Sequence, residues 1–195
     1  MMDTMKALGF HLELAESPMR DAPPVNEAAP AMAEKIGRVT PMLHIELTTD
    51  DAEATYELLK KVFGSEKVEL EFAGFLDSEF MKIVHVNLSD VVLQYCQPLM
   101  KEGSWYEQLR DKGPGVHNIT FVVDDMEQTM NAINKAGAED LFAFPLDWGL
   151  VLGAENVKEN APPVHMVNTM DLLGFHLELG ERPADDLRDF LFKKI

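Results

Sequence analysis

The sequence predicts an α+β protein made of two tandem modules with the same plan. Each module begins with alternating apolar and polar residues, reaches an Asp-Asp pair and then changes to helical spacing, over residues 42–64 and again over residues 115–137. Alternation is typical of a strand with one buried face, and apolar residues three or four positions apart are typical of an amphipathic helix. Two such runs predict two copies of one strand–helix unit.

Each predicted helix carries signals for both of its ends. Asp50 with Glu53, and Asp124 with Glu127, have the spacing of a capping box, in which side-chain oxygens accept otherwise unpaired N–H groups. A Gly follows each helical run where the left-handed C′ residue is expected. Each helix therefore has a suitable capping residue at its N-terminus and at its C-terminus.

The remaining elements follow from alternation and turn residues. A two-residue turn at Ser89-Asp90 would set His85 opposite Gln94 on one face of a hairpin. Each module then reads strand, helix, strand, strand, strand. The further strands are predicted at residues 67–72, 80–86, 91–95, 140–144, 164–168 and 174–179, with further helices at residues 104–110 and 184–193.

The N-terminus repeats a segment near the C-terminus. Residues 1–18 match residues 166–183 at 12 of 18 positions by direct count, and both copies contain Gly-Phe-His-Leu-Glu-Leu. That pattern predicts a strand with Phe, Leu and Leu on one face. The N-terminal copy is either an extra edge strand or a strand able to replace its twin, within the chain or in a neighbouring subunit.

The predicted organisation has five parts, the first of which contains an Ala- and Pro-rich linker. The parts are an N-terminal extension (1–38), a first module (39–99), a connecting helix and turn (100–114), a second module (115–182) and a C-terminal helix (183–195).

Composition limits the classes of function. A formal net charge of −17 argues against binding to nucleic acid or to an anionic membrane, because phosphate groups are bound by Lys and Arg. The single cysteine, Cys96, allows no intrachain disulfide. No apolar run reaches membrane-spanning length, and the N-terminus lacks the charged start and hydrophobic centre of a signal peptide. A soluble cytoplasmic protein is therefore expected.

Four segments resemble a known superfamily. They read LHIELTTDD…FG, LQYCQPL, GPGVHNITFVVDD and GFHLEL. Together with the two-module plan they are similar to the vicinal oxygen chelate superfamily of glyoxalases, bleomycin-resistance proteins and dioxygenases, over about residues 40–182, and most of all to methylmalonyl-CoA epimerase. The resemblance implies that two βαβββ modules form a cupped mixed sheet, a glyoxalase-like fold, and that two chains pair into a homodimer.

The resemblance also implies a divalent metal ion at the floor of the cup, held by one side chain from the first and last strand of each module. Carried over by position, His44 would be the first ligand, Gln94 the last-strand ligand of the first module, and Glu178 the final carboxylate. An imidazole and a carboxylate suit Zn, Co, Ni, Mn or Fe, and an amide oxygen suits a hard ion.

The fourth ligand position departs from the histidine of the family. His44 precedes its Asp-Asp pair by six residues, and the residue six before Asp124 is Asn118. Strand parity agrees, since it points Asn118 into the cup and His117 into the helix-covered layer as a hydrogen-bonded core histidine. Asn is a poor ligand for Zn and an acceptable one for Mn, Mg or Ca. A polar ligand pocket without metal is the alternative.

The function implied by the resemblance is proton transfer next to a carbonyl group. In the superfamily the metal stabilises an enolate-like oxygen while a carboxylate or imidazole moves the proton. The hypothesis is an isomerase, epimerase or lyase that acts on a small acyl thioester or α-keto compound, with Glu178 or His85 as the base. Alternation along the strands places three further side chains on the face that lines the cup. These are Glu46 beside His44, His85 across from Gln94, and His176 beside Glu178.

Two other functions are open at this point. Asn118 at a ligand position also favours a non-catalytic binding protein of the resistance type, which sequesters a small molecule. An Fe(II) dioxygenase needs two His and one carboxylate, so His85 or His176 would have to complete its site. Coenzyme A specificity is weakly supported, because a phosphate-bearing ligand requires a basic patch and this chain is acidic.

Overall fold

The computed structural model describes residues 4–11, 39–68, 79–88, 91–144 and 163–181. The helices in these ranges are α1 (Met5–Leu8), α2 (Ala52–Phe63), α3 (Ser104–Lys112), α4 (Met126–Lys135) and α5 (Met170–Leu173). The strands are β1 (Val39–Thr48), β2 (Met81–Leu88), β3 (Val91–Pro98), β4 (Gly115–Val123), β5 (Glu139–Phe144), β6 (Val164–Asn168) and β7 (His176–Glu181).

The strands form one mixed, open sheet in the order β2-β3-β1-β4-β7-β6-β5. The central strands β1 and β4 are antiparallel, with Ile45 opposite Ile119. β3 lies parallel to β1, and β7 lies parallel to β4. Each module therefore places its first strand at the centre and its last strand beside it, and the predicted α+β fold with a mixed sheet is confirmed.

One face of the sheet is apolar and packs against the two long helices of the modules. Leu47 and Tyr95 are fully buried against Leu59 of α2. Val123 and Leu179 pack in the same way with Met126 of α4. Since side chains alternate along a strand, burial of this face leaves the intervening residues of the same strands on the opposite face.

Each long helix begins one residue later than its sequence signal predicts. The side chain of Asp51 accepts the Ala54 N–H at 3.0 Å, and that of Asp125 accepts the Gln128 N–H at 2.8 Å. The second Asp of each pair is therefore the N-cap, and the predicted capping boxes that start at the first Asp are wrong. The second Asp has the extended backbone (φ −150° and −144°) that an N-cap requires.

Several predicted elements fall partly or wholly outside the described residues. These are the linker, the turn predicted at Ser89-Asp90, and the helix predicted at residues 184–193. Within the described part, the predicted strand at 67–72 is reduced to a single bridge from Lys67 to Val86, because residues 69–72 lie outside it. The last strand begins at His176 rather than at Gly174, because Gly174 has a φ of +82° and closes α5.

The described parts of the two repeated segments have the same local structure. The Thr4 hydroxyl donates to the Phe10 carbonyl at 2.6 Å, and the Thr169 hydroxyl donates to the Phe175 carbonyl at the same distance. In both copies a one-turn helix ends at a left-handed Gly, with φ +79° at Gly9. A strand beginning at Gly9 is therefore wrong, and residues 12–14 of that predicted strand lie outside the described residues.

The surroundings of the two copies differ. Leu8 is 3% exposed in the core of the first module, and its carbonyl accepts from the Tyr95 hydroxyl at 3.4 Å. Its counterpart Leu173 is 50% exposed. The described part of the N-terminal copy therefore packs against the first module, whereas the corresponding turn of the C-terminal copy connects β6 to β7 at the surface.

Replacing Gly9 with Ala is expected to destabilise the protein more than replacing Gly174 with Ala. Both changes place a side chain in the left-handed region, at a cost of about 1 kcal/mol. Only at Gly9 would the new Cβ lie 3.1 Å from the Gly115 backbone nitrogen, whereas nothing lies within 4 Å at Gly174. Urea unfolding of the two variants measures the difference, and equal losses of stability would contradict the packing described for α1.

Among the described residues, no helix combines the length and the apolar character that crossing a membrane requires.

Candidate functional site

Polar side chains cover the face of the sheet opposite the apolar core. The strand pairing brings them together, since Glu46 lies opposite both Gln94 and Asn118, and Thr120 lies opposite both His44 and Glu178. The predicted pairing of His85 with Gln94 is confirmed. We call this surface the polar face, and its members are His44, Glu46, His85, Gln94, Asn118, Thr120, His176 and Glu178.

Glu46 is the centre of the polar face. Its side chain is 3% exposed and accepts hydrogen bonds from Trp105 Nε1, Gln94 Nε2 and Asn118 Nδ2, the last at 2.8 Å. Burial alone would raise the pKa of Glu46. The contact with His117, the nearby His44 imidazole and the hydrogen bond from Trp105 together hold this pKa below the usual glutamate value. The carboxylate is therefore ionised although it is buried.

His117 also belongs to this cluster, contrary to the prediction from strand parity. Its Nδ1 lies 3.3 Å from Glu46 Oε1, and its ring stacks on Trp105 with centroids 4.4 Å apart. The reason is a β-bulge, since Glu46 pairs with Asn118 whereas the next residue, Leu47, pairs with Val116. His117 is the extra residue of the bulge and turns to the same side as Asn118.

A hydroxyl group lies between His44 and Glu178. Thr120 Oγ1 lies 2.9 Å from His44 Nε2, and Thr120 lies directly opposite Glu178 on the neighbouring strand. Burial lowers the pKa of His44 to about 4, with Glu46 opposing the shift. Burial and then the charge of Glu46 raise the pKa of Glu178 to about 8. At neutral pH the imidazole is therefore unprotonated and the carboxyl group carries its proton.

His85 supports this arrangement from the neighbouring strand. Its Nε2 lies 2.8 Å from Gln94 Oε1, and its ring meets the His44 ring edge-on with centroids 6.2 Å apart. Burial lowers the pKa of His85, so this imidazole is also unprotonated at neutral pH. Only 5% of His85 is exposed, whereas His44 and Glu178 are partly exposed. A ligand on the polar face would therefore meet His44 and Glu178 before His85.

The predicted metal ligands share the polar face but do not turn their ligating atoms toward one point. Gln94 and Asn118 direct their N–H groups at Glu46, and an N–H group cannot bind a cation. Within the described ranges, no three His, Cys, Asp or Glu side chains are grouped so that they could hold a metal ion. The arrangement does not fit a divalent ion held by His44, Gln94, Asn118 and Glu178, and that site stays a prediction.

Sequence analysis did not identify two residues of the cluster. Thr120 has a signal that could have found it, because it follows Asn118 by two residues as Glu46 follows His44. Trp105 has no such sequence signal, because its contact with Glu46 depends on how α3 packs across the end of the central strands. The indole of Trp105 adds the hydrogen bond that completes the shell around the buried carboxylate.

Comparison with known protein families agrees with the fold. A family model described as the glyoxalase/bleomycin resistance protein/dioxygenase superfamily matches residues 43–145, more than half of the chain. The chain belongs to this superfamily. None of the curated proteins compared with it matches.

Solved structures of this superfamily's fold resemble the chain at low identity. Methylmalonyl-CoA epimerase from Mycobacterium tuberculosis is 18% identical, with a TM-score of 0.53 over 78% of this chain and 93% of that one. A hypothetical protein from Bacillus halodurans is 16% identical, with a TM-score of 0.55 over 74% and 96%. A variant of Streptomyces coelicolor methylmalonyl-CoA epimerase in complex with 2-nitronate-propionyl-CoA is 19% identical, with a TM-score of 0.51 over 75% and 100%. At these identities the likeness shows the fold.

Proposed function

We propose that this protein is an isomerase of the epimerase type, which moves a proton at a carbon next to a carbonyl group in a small acyl or 2-oxo compound. The observation that carries the proposal is the placement of His44 and Glu178 on either side of Thr120, on the accessible part of the polar face. A base and an acid on either side of one hydroxyl can act on the two ends of the same enolisable group.

The pKa values of Glu178 and His44 are in the reverse of their usual order. In water a carboxyl group loses its proton before an imidazolium does, whereas here the pKa of Glu178 is about 8 and that of His44 is about 4. Environments that separate two pKa values in this way assign the acid and base roles. Glu178 is therefore the acid, and His44 is the base.

The proton transfers follow from the hydrogen bonds. With the His44 tautomer assigned so that Nε2–H donates to Thr120, the free nitrogen Nδ1 removes the proton from carbon. The Glu178 carboxyl group donates to the carbonyl oxygen, where negative charge develops, and so stabilises the enolate-like state. Isomerisation requires that the proton return to the opposite face of the planar enol while Glu178 recovers its own proton from the oxygen; return to the same face regenerates the substrate. No ion is needed for these steps.

The other titratable groups of the polar face support the pair. His85, predicted as a base, is proposed as a positioning residue, because it contacts both Gln94 and the His44 ring. His176 is half-buried opposite Asn118 and is proposed as a third contact for the ligand, beside the acid and the base.

Charge favours a small substrate over a phosphate-bearing one. Lys67 and Lys82 are both paired with Glu53, and Lys60 lies 3.8 Å from Glu57. These three lysines of the described part are therefore engaged by carboxylates, which disfavours binding of the coenzyme A phosphates by them. The proposal therefore names the acyl or 2-oxo group and not its carrier. Lyase activity, a homodimer and a cytoplasmic location stay predictions.

Hydrogen exchange in deuterated water tests the proposal. Methylmalonyl-CoA and a set of small 2-oxo compounds would be incubated with the native protein, and loss of the proton next to the carbonyl group would be followed by NMR. Exchange well above the buffer rate with at least one compound is expected. No exchange with any compound, combined with tight binding of one of them, would instead favour the non-catalytic binding protein.

A further inference from the structure

We propose that the Glu46 carboxylate occupies the position that a bound cation would take, so that this chain has an internal anion where the resemblance implies a metal ion. The residues around a cation present oxygen and nitrogen lone pairs, whereas the residues around Glu46 present hydrogen atoms. The inference concerns ion binding alone and does not depend on the proposed reaction.

Three structural elements contribute donors to the carboxylate. Oε1 accepts from Trp105 of α3 and from Asn118 of β4, and Oε2 accepts from Gln94 of β3. His117 Nδ1 approaches Oε1 at 3.3 Å. Both oxygens are thus occupied, and an ion that bound to either would displace at least one of these donors. A buried donor left without a partner costs about 1–3 kcal/mol, which opposes ion binding at this carboxylate.

The carboxylate also fixes the orientation of two side chains at predicted ligand positions. Because the Gln94 amide turns its N–H toward Glu46, its oxygen points the other way and lies 2.8 Å from His85 Nε2. The Asn118 amide likewise turns its N–H toward Glu46. Rotating either amide to present oxygen to an ion would bring that oxygen against the carboxylate. Glu46 therefore holds both amides in the orientation opposite to that of a metal ligand.

Ion binding by native protein and by a double variant, Glu46→Ala with Asn118→His, tests this assignment. Elemental mass spectrometry of the purified protein and calorimetric titration with Mn²⁺ and Zn²⁺ would give stoichiometry and affinity. The native protein is expected to hold no ion. The double variant is expected to bind one per chain, roughly 100-fold more tightly, because the change removes the anion and adds an imidazole. Asn118→His alone keeps Glu46 and is expected to behave as the native protein does.

Two results would overturn the inference. One is a stoichiometric ion in the native protein, and the other is a folded double variant that binds no ion. If the double variant does not fold, Glu46→Gln keeps the shape of the side chain, and the indole N–H signal of Trp105 reports on it by NMR in a Trp148→Phe background. That signal is expected to shift in Glu46→Gln, and Mn²⁺ is expected to leave it sharp in the native protein. Broadening by equimolar Mn²⁺ in the native protein would contradict the proposal.

Discussion

A Glu178→Gln variant is expected to lose at least about 100-fold in the rate of proton exchange, which is the usual contribution of a general acid. The amide has the size of the carboxyl group and can still donate a hydrogen bond, but it cannot give up a proton to the substrate oxygen. A His44→Gln variant is expected to lose exchange rate by a similar factor, because the substitution removes the base on the other side of Thr120. The effect should fall on kcat with little change in KM.

Matched substitutions away from the polar face provide the controls for these activity measurements. Glu139 is exposed on β5, and His165 pairs with Asp140 at 2.7 Å on the neighbouring strands. Glu139→Gln and His165→Gln are expected to retain native exchange rates. Native rates in Glu178→Gln or in His44→Gln would remove the acid or the base from the mechanism and would require a different pair on the polar face.

The stability of the native protein relative to Glu178→Gln is expected to fall by about 1–2 kcal/mol between pH 6.5 and pH 8.5, because the variant lacks the ionisable carboxyl group. The folded pKa of Glu178 is raised to about 8, whereas the unfolded carboxyl group titrates near its ordinary value of 4.5. The native state therefore binds one more proton than the unfolded state in this window. The stabilisation that protonated Glu178 contributes at low pH is therefore lost as the pH rises toward 8.

Comparison with the variant removes the contribution of the other titratable groups. His44, His85 and His176 have lowered pKa values, whereas in the unfolded chain they titrate near 6.5, so they raise stability as the pH rises through that region. This gain opposes the Glu178 loss in the native protein, and it is common to the native protein and Glu178→Gln. Urea unfolding of both proteins at pH 6.5, 7.5 and 8.5 measures the difference between them, with Glu139→Gln as control. A difference that does not change with pH would contradict a buried neutral Glu178.

Prediction from the sequence was most reliable where the alternation of side chains along a strand continued without interruption. Alternation along the strands identified the face that carries His44, Glu46 and Glu178, and the predicted pairing of His85 with Gln94 is the observed one. These results depend only on side chains alternating and on pairs lying directly opposite, both of which are local properties of a strand. The fold class could be predicted for the same reason, since the two modules repeat the same local patterns.

Prediction failed where packing between elements interrupts a period. The bulge at His117 adds one residue to β4, and a sequence gives no count of the residues in the opposite strand. The N-caps were misplaced by one residue because both members of each Asp-Asp pair can cap a helix, and only the backbone angles choose between them. The amide orientations of Gln94 and Asn118 depend on a carboxylate from another strand.

The repeated turn has a consequence for how the chain folds during synthesis. The turn that ends at Gly9 forms with Leu8 buried, and the turn that ends at Gly174 forms with Leu173 exposed, so local hydrogen bonds are sufficient to specify it. Local structure of this kind forms within microseconds, long before distant strands pair.

The growing chain carries two copies of one segment, and the N-terminal copy leaves the ribosome first. The burial of Leu8 in the first core and the hydrogen bond from Tyr95 attach the described part of that copy to the first module. We therefore expect β7 to pair with β4 without competition from the earlier copy.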